Sequence, residues 1–335
     1  MSWPWLATGF LLVLERLCKF VLVGHFFGRA TRQPHAATNF PAVTILQPIL
    51  SGDPALAACL ATNLTRRSAC PREFIWLVDD NDNDALLLCR QLIAAHPQAN
   101  IRLHVMPPPP DGCNPKMFKL CAGAALATGE LIAVLDDDTM LPDDAFEQCL
   151  PYLNQPQTGL VFGLPYYVSF DNLWSALVAC FVNSNSLLTY IPYTYLSEPL
   201  TINGMFYVLR RATLAQVGGF AGLEKQLCDD YAVARRVVEH GLRLGQTPLR
   251  HAIRTTVTDA RHYLDLLTRW LIFPQASIMK TAAWRVQATF YSFAFFPALF
   301  PLGLTLVALW VRQPWLWASW LGYLALNLAL VGWLN

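Results

Sequence analysis

The sequence predicts an α/β fold on a mostly parallel sheet, with membrane-seeking helices at both ends. Three observations predict it. Between Pro41 and Gly163 short apolar runs alternate with helical patterns, the order that builds parallel strand–helix–strand units. Those runs are apolar throughout, as in strands covered on both faces. Long apolar stretches stand outside this region at each end.

In order, Val43 to Gln47 reads as a strand and Leu56 to Arg66 as a helix. Phe74 to Val78 is a second strand, and Asp84 to Ala95 a helix with Asp84 as its cap. Ile101 to Val105 is a third strand. Lys116 to Thr128 is helical, with Gly129 as its stop. Leu131 to Leu135 is a fourth strand, Asp143 to Leu153 a helix, and Thr158 to Gly163 a fifth strand. Further on, Tyr231 to His240 is helical, ended by Gly241. Pro107 to Pro110 makes a stiff loop. The domain boundaries expected are 1–30 for an N-terminal membrane helix, 40–275 for the α/β domain and 286–335 for C-terminal transmembrane helices.

Apolar residues make up 54% of the chain and charged residues 14%, against about 25% charged in soluble proteins. Trp5 to Phe27, Gln287 to Val311 and Trp315 to Leu334 are each long enough to span a bilayer. Glu15, Arg16 and Lys19 fall on one side of the first helix, so that side meets protein, or the helix lies in the interface. Arg29, Arg32, Lys280 and Arg285 flank the spans. By the positive-inside rule they place a multi-pass protein with its middle domain facing the cytoplasm. The net charge of +1 excludes a nucleic-acid footprint. Nine cysteines without a C-x-x-C pair argue against a zinc site or a disulfide framework. No Gly-x-Gly-x-x-Gly or P-loop follows the first strand, which argues against an NAD enzyme or an ATPase.

Ligands of parallel α/β sheets bind beyond the carboxyl ends of the strands, and acidic residues cluster at two such ends. At Asp136-Asp137-Asp138, residues two apart in extended chain share a side. Asp136 and Asp138 then either hold one hard cation, Mg2+ or Mn2+, or form a turn cluster. Asp80, in a loop with Asp79, Asp82 and Asp84, either accepts hydrogen bonds from a base or ribose or belongs to a solvated turn. Asn114-Pro115-Lys116, with Lys119, suits a phosphate or a plain helix start. One of Asp229-Asp230 caps a helix, and the other either acts as a general base or belongs to the same cap. Arg269-Trp270 reads as a phosphate contact or an interfacial pair. The histidines show no metal spacing.

Taken together, Leu77 to Ala85, Asn114 to Lys116, Leu135 to Asp138, Gly159 to Tyr166, Asn203-Gly204-Met205, Asp229-Asp230-Tyr231 and Arg269-Trp270 resemble the ceramide glucosyltransferases and their bacterial relatives. These are membrane-anchored inverting enzymes of the GT-A, Rossmann-like fold. The resemblance implies transfer of a hexose from a UDP-sugar to a membrane lipid hydroxyl at the bilayer, giving a β-glycolipid. It implies Asp80, Lys116, Asp136, Arg269 and Trp270 on the donor, Asp136 and Asp138 on Mg2+ or Mn2+, and Asp230 as the base. Leu266 stands where that family's closing motif carries Gln or Arg three residues before Arg269. Leu173 to Tyr195, apolar and aromatic, shapes a lipid entrance or packs on the sheet. The alternatives are a polysaccharide synthase, a polyprenyl-phosphate sugar transferase, and a non-enzymatic membrane scaffold. The sugar, the lipid and the oligomeric state are not encoded legibly.

Overall fold

The computed structural model describes residues 3–30, 40–226, 228–274, 283–292 and 314–334, together with 279, 299, 303, 305–307 and 309–310. Its centre is an eight-stranded mixed sheet. The strands are β1 (Val43–Pro48), β2 (Arg72–Asp79), β3 (Ile101–Met106), β4 (Leu131–Leu135), β5 (Thr139–Met140), β6 (Thr158–Tyr167), β7 (Phe206–Arg210) and β8 (Arg243–Ile253). Their spatial order is β3-β2-β1-β4-β7-β6-β8-β5. β1 to β4 are mutually parallel, and β6 is parallel to β8. β7 runs antiparallel to both β4 and β6, and β5 antiparallel to β8. The sheet is therefore mixed. The antiparallel β7 was illegible because Phe206–Arg210 is short and follows a loop, not a crossover helix.

The strands alternate faces with period two. Val43, Ile45, Phe74, Trp76, Val78, Leu131, Ala133 and Leu135 enter one apolar cluster. Leu46, Ile75, Leu77, Ile132 and Val134 enter the other. The first is closed by α2 (Leu56–Thr65), α3 (Asn83–Ala95) and α5 (Ala145–Leu153). The second is closed by α4 (Pro115–Leu126), α7 (Arg211–Gln216) and α8 (Asp229–Glu239). Two smaller clusters involve α6 (Leu173–Tyr193). One joins it to β6, β8 and α9 (Ala260–Pro274), the other to α1 (Trp3–Ala30). Outside these lie α10 (Trp284–Phe290) and α11 (Pro314–Leu334).

Several local expectations change. α3 is capped by Asp82, whose carboxylate accepts from the Ala85 N–H, not by Asp84. α8 begins after Cys228, so both Asp229 and Asp230 lie in its first turn. Gly241 does end that helix, with φ +75°. Gly129 is not a helix stop, since α4 ends at Leu126. A Cβ there would lie 2.6 Å from the Thr44 nitrogen and 2.8 Å from the Ala42 oxygen, so glycine lets the chain enter β4 hard against β1.

The membrane segments expected at both ends find no support among the described residues. Among the described residues no helix is long and apolar enough to cross a membrane. α1 has 28 residues, but no long stretch of it avoids Glu15, Arg16 and Lys19. α11 is 21 residues long and carries no charged residue. The expected span from Gln287 to Val311 lies largely outside the described residues. A multi-pass arrangement is thus without support. α1 is instead an inverted amphipath. Arg16 and Lys19 are buried; Arg16 donates to the Tyr323 hydroxyl at 3.0 Å, and Lys19 pairs with Glu15. Phe20 and Val23 pack inward, while Phe10, Leu14, Leu17 and Val21 face outward.

Because the space facing Gly129 is backbone, which cannot step aside, Gly129→Ala is expected to destabilise the protein by about 1–3 kcal/mol. A thermal melt reads this. An unchanged Tm would show that β1 and β4 tolerate separation.

Candidate active site

The carboxyl ends of β1, β2 and β4 open on one side of the sheet, and their loops are knitted by aspartates. Asp137 accepts from the Leu50 N–H at 2.8 Å, and Asp82 from the Ser51 N–H at 2.9 Å. Beside β2 an open pocket is lined by Leu50, Ser51, Asp79, Asn81, Asp82, Asn83 and Asp84. Asp80 is solvent-exposed next to it, its N–H donating to the Met106 carbonyl at 2.7 Å. Lys119 is not free for a phosphate. It is buried, 3.0 Å from Asp79 and donating to the Ile49 carbonyl at 2.8 Å.

Asp136 to Asp138 form a turn and not an extended run, closed by the Thr139 N–H donating to the Asp136 carbonyl at 3.2 Å. The chain must reverse here between β4 and β5. Asp136 and Asp138 consequently reach different partners. The Asp136 N–H donates to the Met205 carbonyl at 3.0 Å, extending the β4–β7 ladder by one step. Its carbonyl accepts from Gln47 at 3.3 Å, and Gln47 in turn accepts from the buried Trp76 indole at 3.0 Å. Asp138 accepts from the Thr139 and Thr255 hydroxyls, and its carbonyl accepts from the Arg254 N–H at 2.8 Å.

By continuing the β4–β7 ladder, Asp136 brings the Asn203-Gly204-Met205 turn to its side. Lys116, on the first turn of α4, joins the pieces. Its ammonium lies 2.6 Å from Asp136 Oδ1 and 3.5 Å from Asp229 Oδ2, and donates to the Gly204 carbonyl at 2.8 Å. Asp230 sits against Gly204, where an added Cβ would lie 1.7 Å from Asp230 Oδ1. Tyr207 lies buried near the same charges, and Tyr190, bonded to Asn203, feels the charge of Asp230.

The electrostatics follow from burial. Burial opposes the ammonium of Lys116, but Asp136, Asp229 and Asp230 outweigh it and hold its pKa well above the usual value. Burial, with the charge of Asp229, pushes the Asp230 carboxyl well above the carboxylate range. Burial and Asp138 raise Asp137 to about 7. Burial and Asp136 raise Asp138 to about 6. Several half-buried carboxylates therefore share one ammonium, an excess of negative charge that a divalent cation would relieve.

Among the described residues no three His, Cys, Asp or Glu side chains stand together in metal-holding geometry. The carboxylates of Asp136 and Asp138 are near enough for the charge of one to raise the pKa of the other, and a hard cation of the Mg2+ kind takes one or two carboxylates and completes its shell from phosphates and water. The Lys116 ammonium on Asp136 already shows that carboxylate holding a positive charge.

Arg269 is exposed on α9, and Trp270 packs edge-on against Tyr167 at 6.1 Å between ring centroids. Tyr167 is buried and feels Asp138, Asp136 and Arg269, which links this pair to the carboxylates. Leu266 does not face the site. It is 6% exposed within the cluster of Tyr167, Val178, Ala179, Ile253 and Val257. Gly204, Asn203, Tyr190 and Tyr207 carried no role in the sequence reading. An Asn-Gly pair marks the turn, but nothing local marks what lies across from it.

The profile of glycosyl transferase family 21 matches residues 8–331. The chain belongs to glycosyl transferase family 21. "Ceramide glucosyltransferase 1" of Caenorhabditis elegans is 21% identical over 276 residues, covering 78% of this chain and 58% of that protein. "Ceramide glucosyltransferase 3" of the same organism is 19% identical over 235 residues, covering 70% and 50%. This family 21 chain thus spans between half and three-fifths of the length of these relatives. Among solved structures, "Mannosyltransferase PcManGT from Pyrobaculum calidifontis in complex with GDP-Man and Mn2+" has a TM-score of 0.55 at 17% identity, covering 97% of this chain and 94% of that one. At that identity the likeness shows the fold, which is that of a glycosyltransferase.

Two outcomes follow. Gly204→Ala displaces Asp230 and is expected to reduce any transferase activity at least 100-fold, with the protein still folded by circular dichroism; full activity would remove Asp230 from the centre. Leu266→Gln buries an amide in an apolar cluster and is expected to cost about 1–3 kcal/mol in a denaturant titration.

Proposed function

We propose that this family 21 member transfers a hexose from a UDP-sugar to the hydroxyl of a membrane lipid of the ceramide kind, inverting the anomeric carbon to a β-glycolipid. The observation that carries the reading is the convergence of Asp136, Asp229 and Asp230 on Lys116 at the sheet's carboxyl edge. One carboxylate there, Asp230, makes no direct ion pair with Lys116, is half-buried and is raised in pKa.

Asp230 is the base, accepting the proton of the lipid hydroxyl as it attacks the anomeric carbon. Gly204 gives it room, and Tyr190, bonded to Asn203, flanks it. Asp136 and Asp138 would hold Mg2+ or Mn2+, which when bound neutralises the departing diphosphate. Lys116 shares that neutralisation. Asp80 and the pocket beside it take the nucleoside, and Arg269 with Trp270 closes over the donor from α9. The ceramide acceptors named for the nematode relatives and the Mn2+ named for the archaeal structure support these assignments.

The lipid side is supported by exposed apolar residues. The outward stripe of α1 is one element. Leu173 and Leu177 on α6, with Leu264, Leu271 and Ile272 on α9, are another. α6 also carries Tyr190, which feels the charge of Asp230, so the stretch Leu173–Tyr193 runs from an apolar surface towards the base. These faces suit a bilayer interface.

Membranes bearing the protein, given UDP-sugars, Mn2+ and ceramide, are expected to yield a new glycolipid by mass spectrometry. Product should vanish with EDTA and fall at least 1,000-fold in Asp230→Asn; an undiminished variant would overturn the reading. A base works deprotonated, so kcat/KM should rise with pH along a limb whose pKa lies above the ordinary carboxylate range. Asp229→Asn, removing a charge that raises that pKa, should move the limb to lower pH.

A further inference from the structure

We propose that Lys116 is a resident counter-ion that competes with the divalent cation for Asp136, so that the cation binds well only when a nucleotide diphosphate draws the ammonium away. The inference rests on the reading of Asp136 as a cation ligand. It adds an order to the loading of the site.

The geometry points to it. Lys116 makes its shortest contact, 2.6 Å, with the carboxylate assigned to the cation, and it spends a second donor on the Gly204 carbonyl. A cation on Asp136 Oδ1 and the ammonium would then stand within a few ångström of each other between half-buried side chains, where like charges repel more strongly than in open water. One of the two must leave that oxygen. The backbone of Lys116 is not free to move. Asn114 caps α4 through the Met117 N–H, its own N–H donates to the Glu224 carbonyl at 2.5 Å, and its side chain reaches the Gln226 carbonyl. What can move is the flexible four-carbon stem.

The alternative partners differ with the state of the site. Without donor, the ammonium keeps Asp136 and Asp229 compensated and holds the Gly204 turn in place. With donor, a diphosphate supplies both new acceptors for the ammonium and the ligands the cation lacks. The second need is visible, since the described side chains do not assemble three metal-capable groups in one place. The neighbouring lysine cannot substitute, because Lys119 is committed to Asp79 and Ile49. By linkage the coupling is reciprocal, so the cation must tighten the nucleotide by the same factor that the nucleotide tightens the cation.

Equilibrium dialysis of Mn2+ tests this, with and without UDP in both chambers and a protein-free UDP reference. Wild-type protein is expected to bind Mn2+ weakly alone and about tenfold or more tighter with UDP, within the 5–150-fold range usual for coupled sites. In Lys116→Gln the nucleotide-free affinity should rise about tenfold and the enhancement by UDP should shrink, whereas Lys116→Arg should stay weak. A folded Lys116→Gln that binds nucleotide-free Mn2+ no better than wild type overturns the proposal while leaving the cation site standing. Equal wild-type affinities with and without UDP overturn it even if the variant does not fold. No Mn2+ bound under any condition overturns both the cation reading and this one.

Discussion

Carboxylates gathered out of water at the edge of a sheet repel one another and lose hydration. Here Asp136, Asp229 and Asp230 accept that cost around a single ammonium, and the arrangement of the chain about Lys116 follows from it. The lysine is supplied by a helix start, one aspartate by a strand end, and the other two by the first turn of α8. Three segments distant in sequence must therefore meet within a few ångström. Any change that moves one of them leaves charge buried without a partner, which is far costlier than losing a surface ion pair.

What brings them together is the switch of direction in the sheet. β1 to β4 are parallel and deliver loops to one edge, as in other α/β sheets. β7 then pairs antiparallel to β4, so its first residues, and not its last, arrive beside Asp136. The turn before β7 has room for Asp230 only because Gly204 lacks a side chain. On the far side, β5 and β8 hold Asp138 through Thr255 and Arg254. One short acidic turn is thus fixed from both flanks of the sheet.

The first half of the fold was legible because the strands are apolar on both faces and helices punctuate them. Val43, Leu131 and their neighbours announce themselves by composition. The second half was not, since β7 and β8 carry Arg, Gln, Thr, Pro and His among their apolar residues and their pairing is non-local. Asp136, Asp138 and Asp230 were found as acidic pairs, and the resemblance to the lipid glucosyltransferases supplied their roles. Neither Asp229 nor Asp230 is the cap residue of α8, and Asp229 is a partner of Lys116. Lys119 was misread because its distance from Asp79 is set by packing across the sheet edge. Leu266 departs from the related motif because its side chain is core. For the terminal segments, the described residues include no helix long and apolar enough to cross a membrane, and the expected span from Gln287 to Val311 lies largely outside them. Apolar composition is shared by helices that cross a membrane and by one, such as α1, that buries charge and turns leucines outward.

The central claim is that Asp136 and Asp138 form the cation and diphosphate end of a donor site whose base is Asp230. Anomalous scattering from crystals grown with Mn2+ and UDP tests it most directly. The account predicts one manganese peak within coordination distance of Asp136 and Asp138, with diphosphate oxygens on its open side and the Lys116 ammonium moved off Asp136 towards them. A peak held instead by the Asp79–Asp84 loop, with Lys116 still on Asp136, would contradict it.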